Sequence, residues 1–345
     1  MIYKTFVRPL FFLFNPENAH KIALKTLVVF GKFYPTKLLI KSIFEYKSEK
    51  LKTNVAGLEF HNPVGLAAGF DKDADAYEEL GLLGFGFIEI GTVTPLAQDG
   101  NPKPRLFRLK KDNALINRMG FNNHGVDAAI KKLKKRKNKN LIIGGNIGKN
   151  KVTPIEEANR DYTISFNKLF PYVDYFVINV SSPNTPNLRK LQDKEPLTKL
   201  INRLLDLNNN KHHPKPIFLK IAPDLNLSQL DDIIDIANST GLSGLIATNT
   251  TIERNDLTTS ENELKNIGNG GLSGKPLTKK STEIIKYLRK NLSDDKKIIG
   301  VGGISRPKDA IEKLDAGADL IQVFTGFVYE GPLLIKRINK AIAKR

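Results

Sequence analysis

The sequence predicts an α/β protein: a (β/α)8 TIM barrel carrying a small N-terminal helical extension. Three observations lead there. Eight short apolar runs, each bounded by Gly, Asn or Pro, recur after residue 54. Helical stretches separate them, such as 227–240, 282–291 and 307–316. Nearly every run ends in polar residues. Repeated strand–helix alternation implies a parallel sheet. Eight strands suit a closed barrel better than an open doubly wound sheet, and in such barrels the chemistry gathers at the C-terminal strand ends.

Residues 1–45 form the extension. Asn15-Pro16-Glu17 reads as an N-cap, a proline at the first helical position and an early acid. The next segment places Ala19, Ile22, Ala23, Thr26, Leu27, Phe30 and Phe33 on one face. Ahead of it, Ile2, Phe6, Val7, Leu10, Phe11, Leu13 and Phe14 crowd a short segment. The pattern predicts an amphipathic helical pair. Its flanking charges are mainly Lys, which suits an anionic membrane interface. A plain structural cap on the following domain is the alternative.

Residues 46–345 read as one domain. The predicted strands are 64–68, 85–90, 141–145, 175–180, 217–221, 244–248, 298–301 and 320–324. The chain has no Cys, which excludes disulfides, thiolate metal sites and a cysteine nucleophile. Its five His are scattered apart from His212-His213, without metal-ligand spacing, so no metal is expected. The formal charge is +18. Such an excess can draw nucleic acid or anionic lipid, but the densest run, Lys131 to Lys137, ends a helix and carries no aromatic residues to stack on bases. No nucleic-acid partner is expected. No stretch reaches the ~18 apolar residues that span a bilayer, and no signal-peptide pattern opens the chain.

Read in order, the strand ends carry Lys, Asn, Thr and Gly, and Asp71 is the only carboxylate close to one. Paired carboxylates for glycoside hydrolysis are therefore absent from the pattern. Gly302-Gly303 and Thr325-Gly326 put bare backbone N–H groups at the seventh and eighth ends, where these barrels bind phosphate, with Gly271-Leu-Ser-Gly274 in the preceding loop. No GxGxxG indicates a nicotinamide site. Lys220 ends the fifth strand, either snorkelling from the strand end to solvent or standing as a fixed cation suited to a reduced flavin. Asn146, Asn179 and Thr248 could supply hydrogen bonds to its ring. The segment from Asn117 to Asn123 interleaves Met119 and Phe121 with three Asn, as a pocket for a small planar ligand would. The fourth strand delivers Asn179, Ser182 and Asn184 into a loop that Pro183 and Pro186 keep out of helix. Ser182 has no nearby His or Asp in sequence, so an ordinary hydrolase nucleophile is not indicated.

These ends together resemble the dihydroorotate dehydrogenase family, and within it the class 2, membrane-associated, quinone-dependent branch. The resemblance covers essentially the whole chain. It rests on Ala68-Gly-Phe-Asp-Lys72, Gly91-Thr-Val-Thr-Pro95, Pro104-Arg-Leu-Phe-Arg108, Asn117-Arg-Met-Gly-Phe121, Asn146-Ile-Gly-Lys149, Asn179-Val-Ser-Ser-Pro-Asn184, Lys220-Ile-Ala-Pro-Asp224, Thr248-Asn-Thr250, Gly270-Gly-Leu-Ser-Gly274 and Val301-Gly-Gly-Ile304. It implies oxidation of (S)-dihydroorotate to orotate in pyrimidine biosynthesis, with FMN as hydride acceptor and a membrane quinone as final acceptor. It implies FMN held by Ala68, Gly69, Lys72, Thr92, Asn146, Asn179, Lys220, Thr248, Gly274, Gly303, Phe324 and Thr325. It implies substrate held by Lys72, Asn117, Arg118, Met119, Gly120, Phe121, Asn179, Asn184, Asn249 and Thr250, with Ser182 as catalytic base. His20 and Arg108 match quinone-tunnel positions. The family's class 1 typically has Cys at position 182, so the serine points to class 2.

The chain departs from the family at Phe324 and Thr325, where Tyr and Ser are common; Phe cannot hydrogen-bond a quinone. The resemblance further implies a monomer on the cytoplasmic face of a bacterial inner membrane, peripherally attached through the N-terminal helices. The competing readings are a class 1 enzyme, a dihydrouridine synthase acting on RNA, and a basic scaffold without a flavin. The missing Cys and the short C-terminus argue against the synthase.

Overall fold

The computed structural model describes residues 2–345. β1 (Thr53–Val55) and β2 (Leu58–Phe60) form an antiparallel hairpin. The barrel then opens with β3 (Val64–Leu66) and β4 (Phe87–Val93). A second hairpin, β5 (Leu106–Leu109) and β6 (Ala114–Asn117), interrupts it. β7 (Ile142–Ile147), β8 (Tyr175–Asn179), β9 (Ile217–Ile221) and β10 (Gly244–Ala247) continue the barrel. β11 (Gly271–Gly274) leaves it again, and β12 (Lys297–Val301) and β13 (Leu320–Val323) complete it. The barrel strands are all parallel, and β13 closes on β3 through Ile321 and Val64. The predicted TIM barrel is present, with each apolar run on a barrel strand.

Strand periodicity decides what faces inward. On β4, Phe87 points into the barrel and Ile88 and Ile90 pack outward against the helices. Phe87, Tyr175, Val177, Phe218, Ile246, Ile299 and Leu320 fill the interior near the N-terminal strand ends. Val55 and Phe60 of the hairpin join them, and the Phe60 and Phe87 rings meet edge to face at 5.3 Å. The hairpin therefore plugs the bottom of the barrel. Burying one such phenyl ring is worth about 2–3 kcal/mol. Gly144 makes room for its neighbour on β8: a Cβ there would lie 2.2 Å from the Tyr175 ring.

Two predicted features differ. The N-terminal segment holds a π-turn (Tyr3–Val7) and α-helices α1 (Arg8–Leu13), α2 (Pro16–Lys32) and α3 (Tyr34–Phe44), rather than two helices. Pro35 has no N–H to continue α2 but fits the first turn of α3. Phe33, placed by periodicity on the inner face, is the extended residue between them and is 63% exposed. The Gly271 to Gly274 segment is a strand, not a loop. It pairs with β6 in a three-stranded sheet ordered β11-β6-β5.

Candidate active site

The same period of two that buries Phe87 brings Glu89 inward one layer higher. Glu89 is fully buried. One carboxylate oxygen accepts from Asn146 Nδ2 at 2.8 Å and Lys220 Nζ at 3.3 Å; the other accepts from Gln322 Nε2 at 2.5 Å. The network continues through amides. Thr92 donates to Asn146 Oδ1 at 2.6 Å, and Asn179 Nδ2 donates to Thr92 at 2.8 Å and to Asn146 Oδ1 at 3.2 Å. Asn249 donates to Asn179 Oδ1 at 3.3 Å and to Ser181 at 3.0 Å. β4, β7, β8, β9 and β13 are thus locked together at one level. A buried ion pair is tolerated only when its remaining groups are satisfied, and here the carboxylate has three donors.

Ser182 follows β8 and is 6% exposed. Its hydroxyl oxygen accepts a hydrogen bond from the Asn184 backbone N–H at 3.3 Å. Asn184 donates from its side chain to Asn117 at 3.0 Å, and its carbonyl accepts from Asn101 at 3.0 Å. Arg189 fastens the other end of this loop, reaching the Ser181 carbonyl at 3.0 Å, Asp224 at 2.8 Å and the Thr250 carbonyl at 3.2 Å. Phe121 holds a left-handed φ of 55° beside the site. Bulky residues rarely do so unless neighbours over-determine them. Here the Phe121 carbonyl accepts from Asn123 at 2.7 Å and Gln98 at 3.1 Å.

A continuous cavity of about 1240 Å³ joins this mouth to the N-terminal helices. At one end it is lined by Asn117, Asn179, Ser182, Asn184, Lys220, Thr248, Asn249 and Thr250. Gly274, Gly303 and Thr325 line its flank, and Leu24, Leu27, Leu39, Ile40 and Phe44 line the far end. Lys72 lies between and donates to Asn122. Burial, and then the nearby Arg105 cation, hold its ammonium down to about 7. A carboxylate entering beside it would reverse that shift. His20 packs edge-on to Phe70 at 4.7 Å. Burial, with Lys72 adding to it, pushes the imidazole down to about 4, so it is neutral near pH 7.

α2 is pinned over the mouth by a bidentate pair: Arg105 donates to Glu17 at 2.8 and 3.1 Å. That bond, more than any other influence, lowers the Glu17 carboxyl below its usual value. Asn15 caps the same turn by accepting from the Glu17 N–H at 3.0 Å. Arg108 lies 4.4 Å over the Phe12 ring and donates to the Phe14 carbonyl at 2.8 Å, closing the C-terminus of α1.

Most residues singled out in the sequence line this one cavity, including Ala68, Gly69, Thr92, Phe324, His20 and Arg108. Asn146 stands behind the wall, fully buried. Arg118 is not among the lining residues; its guanidinium lies 4.6 Å over Phe107 and donates to the carbonyls of Ile267 and Asn269. Asp71 borders the cavity, but its carboxylate caps a turn, accepting from the N–H groups of Asp75 and Ala76, and burial raises its carboxyl to about 7. The central carboxylate is Glu89, which strand-end reading missed because it lies mid-strand; the alternation Phe87, Ile88, Glu89, Ile90 would have shown it facing inward. Gln322 and Arg189 were missed with it.

Residues 50–345 match the family model described as dihydroorotate dehydrogenase. A relative from Christiangramia forsetii named dihydroorotate dehydrogenase (quinone) is 58% identical over 345 residues, covering 100% of this chain and 99% of its own. One of the same name from Gloeobacter violaceus is 48% identical over 98% of this chain and 93% of its own. The crystal structure of ligand-free DHODH from Eimeria tenella superposes with a TM-score of 0.84 at 38% identity, covering 95% of this chain and 94% of that one. On fold, cavity and these likenesses together, the chain belongs to the dihydroorotate dehydrogenase family.

Proposed function

We propose that this chain oxidises (S)-dihydroorotate to orotate in pyrimidine biosynthesis, using FMN as the primary acceptor and a membrane quinone as the final one. The observation that carries the reading is the single cavity: an amide-lined polar end and an apolar end between helices share one space.

The residues present fit FMN. Lys220 brings a buried ammonium whose hydrogen-bonded partner is Glu89, leaving its other N–H groups for the cavity it lines. The Thr250 hydroxyl is buried without a partner. Gly274 and Gly303 have φ of 103° and 74°, and a Cβ at Gly303 would lie 2.6 Å from the Thr278 nitrogen. That leaves bare backbone N–H groups where a phosphate is held in such barrels. Thr92, Asn179, Lys220 and Thr248 would hold the ring, with Asn146 bracing Thr92 and Asn179 from behind the wall, and Gly274, Gly303 and Thr325 at the phosphate. When bound, FMN supplies a hydride acceptor beside the substrate and an electron donor to quinone.

The chain's own residues do the rest. Lys72, Asn117, Asn184, Asn249 and Thr250 hold the substrate's carboxylate and ring amides. Ser182 Oγ takes the C5 proton as the C6 hydride departs, its own hydroxyl proton passing by relay along the cavity to solvent. The N–H that Asn184 donates to that oxygen stabilises its deprotonated form. Neutral His20 and the apolar faces of α2 and α3 receive the quinone. Phe324 offers it only a ring face, packed edge-on to Phe70 at 5.5 Å.

Thirteen of the eighteen exposed large apolar side chains among the described residues lie between Ile2 and Ile43. An apolar patch so concentrated, rimmed by lysines, suits an interface with anionic lipid. No helix among the described residues is long and apolar enough to cross a membrane. With the class 2 resemblance, this patch supports peripheral membrane attachment, and we propose a monomer on the cytoplasmic face of a bacterial inner membrane. Deleting residues 1–45 is expected to cut quinone-dependent turnover at least tenfold more than dihydroorotate-dependent flavin reduction. Stopped-flow measurement of the two half-reactions checks this; equal losses would make the helices a structural cap only.

A further inference from the structure

Lys313 has no part in the chemistry above, yet its side chain is fully buried. Its ammonium donates to the Thr282 hydroxyl at 3.0 Å, the Ser281 hydroxyl at 3.2 Å and the Thr278 carbonyl at 3.4 Å. Those three acceptors form the first turn of the helix Thr278–Asn291. A buried cation is costly unless compensated, and a helix N-terminus is already a positive pole. Lys313 therefore stands where positive charge is least welcome. The carboxylates that act on it, Asp309 and Glu312, are on its own helix and engaged elsewhere: Asp309 with Arg306 at 2.7 Å, Glu312 with Lys308 at 3.6 Å. The helix that faces it gives its ammonium two hydroxyls and a carbonyl, while Lys279, Glu283 and Lys286 of that helix line the groove it shares with Asp309 and Glu312, and the barrel side presents Gly300 and Ala318. The same helical turn abuts the glycine pair. A Cβ on Gly302 would lie 2.9 Å from Ser281, and Thr278 donates to the Gly303 carbonyl at 3.0 Å.

We propose that Lys313 is a positioning residue for the flavin phosphate, holding the Thr278 to Thr282 turn against Gly302 and Gly303 and supplying buried positive charge that the phosphate offsets. The inference rests on the FMN reading above. Burial holds this ammonium down to about 8 in the protein alone. A dianion beside the turn favours the charged form, so binding takes up a proton and affinity falls as pH rises from 7 towards 9.

The test compares two flavins that differ by the phosphate. Holoenzyme and its Lys313→Met variant are diluted and FMN release is followed by flavin fluorescence; riboflavin affinity is read by competition on the same proteins. Lys313→Met should weaken FMN about tenfold at pH 7 and riboflavin less than twofold. Wild type should bind FMN more weakly at pH 9 than at pH 7, with riboflavin unaffected. Equal weakening of both flavins, or unchanged FMN affinity, would overturn the assignment. Should Lys313→Met fail to fold, the wild-type pH dependence decides: the same slope for FMN and riboflavin refutes it. A wild-type protein that binds no FMN at all would instead refute the cofactor reading.

Discussion

Replacing Ser182 by alanine is expected to slow dihydroorotate-dependent flavin reduction by roughly 10²–10⁴-fold while FMN stays bound. The size follows from the site. Ser182 is nearly enclosed, lines the cavity and shares it with Lys220 and Asn184. Among the described residues its oxygen accepts from the Asn184 N–H and has no carboxylate or imidazole as a hydrogen-bond partner. With the hydroxyl gone, nothing at that position can accept the C5 proton. The amides proposed to orient the substrate remain, because Asn184 is held to Asn117 and Asn101 independently of the serine. Substrate affinity should therefore change much less than the rate. Rapid-mixing spectroscopy at the flavin band measures both. Reduction within a few-fold of wild type would remove Ser182 from its role.

Glu89→Gln should strongly destabilise the barrel, costing about 3–5 kcal/mol. It leaves the Lys220 ammonium buried without its counter-charge. A glutamine keeps only one oxygen, so the donors from Asn146, Lys220 and Gln322 all stay paired only if Gln322 turns its unpartnered Oε1 towards the new amide. Unpaired buried donors carry the full desolvation penalty. The pair is distinguished from general disruption by a cycle with Lys220→Met. Removing both charges should cost less than removing Glu89 alone, since no stranded cation remains. Equilibrium urea unfolding gives the four values. A Glu89→Gln loss below about 1 kcal/mol, or simple additivity with Lys220→Met, would contradict the account.

Much of this was legible in the sequence for a definite reason. Parallel strands buried on both faces read as unbroken apolar runs, and each run stopped where its polar cargo began; Asn179 and Lys220 were visible because they end such runs. Glu89 was hidden because it sits inside one. Its meaning depends on β7, β9 and β13 converging on it, and no linear spacing encodes that. Arg105 and Glu17 lie far apart in the chain, so their bond across the mouth was equally invisible. The break of the N-terminal pair at Pro35 was legible in principle, but the apolar periodicity ran smoothly through Phe33 and masked it. The strand from Gly271 to Gly274 looked like a loop because its two glycines and serine carry almost no β-propensity; pairing with β6 imposes the conformation.

The central claim is that one cavity joins dihydroorotate oxidation to a quinone. Its most direct test offers the purified protein dihydroorotate with ubiquinone, menaquinone, fumarate or NAD⁺ separately and follows orotate formation. The structure predicts turnover with a quinone and little with fumarate or NAD⁺. Strong preference for fumarate or NAD⁺ would contradict it.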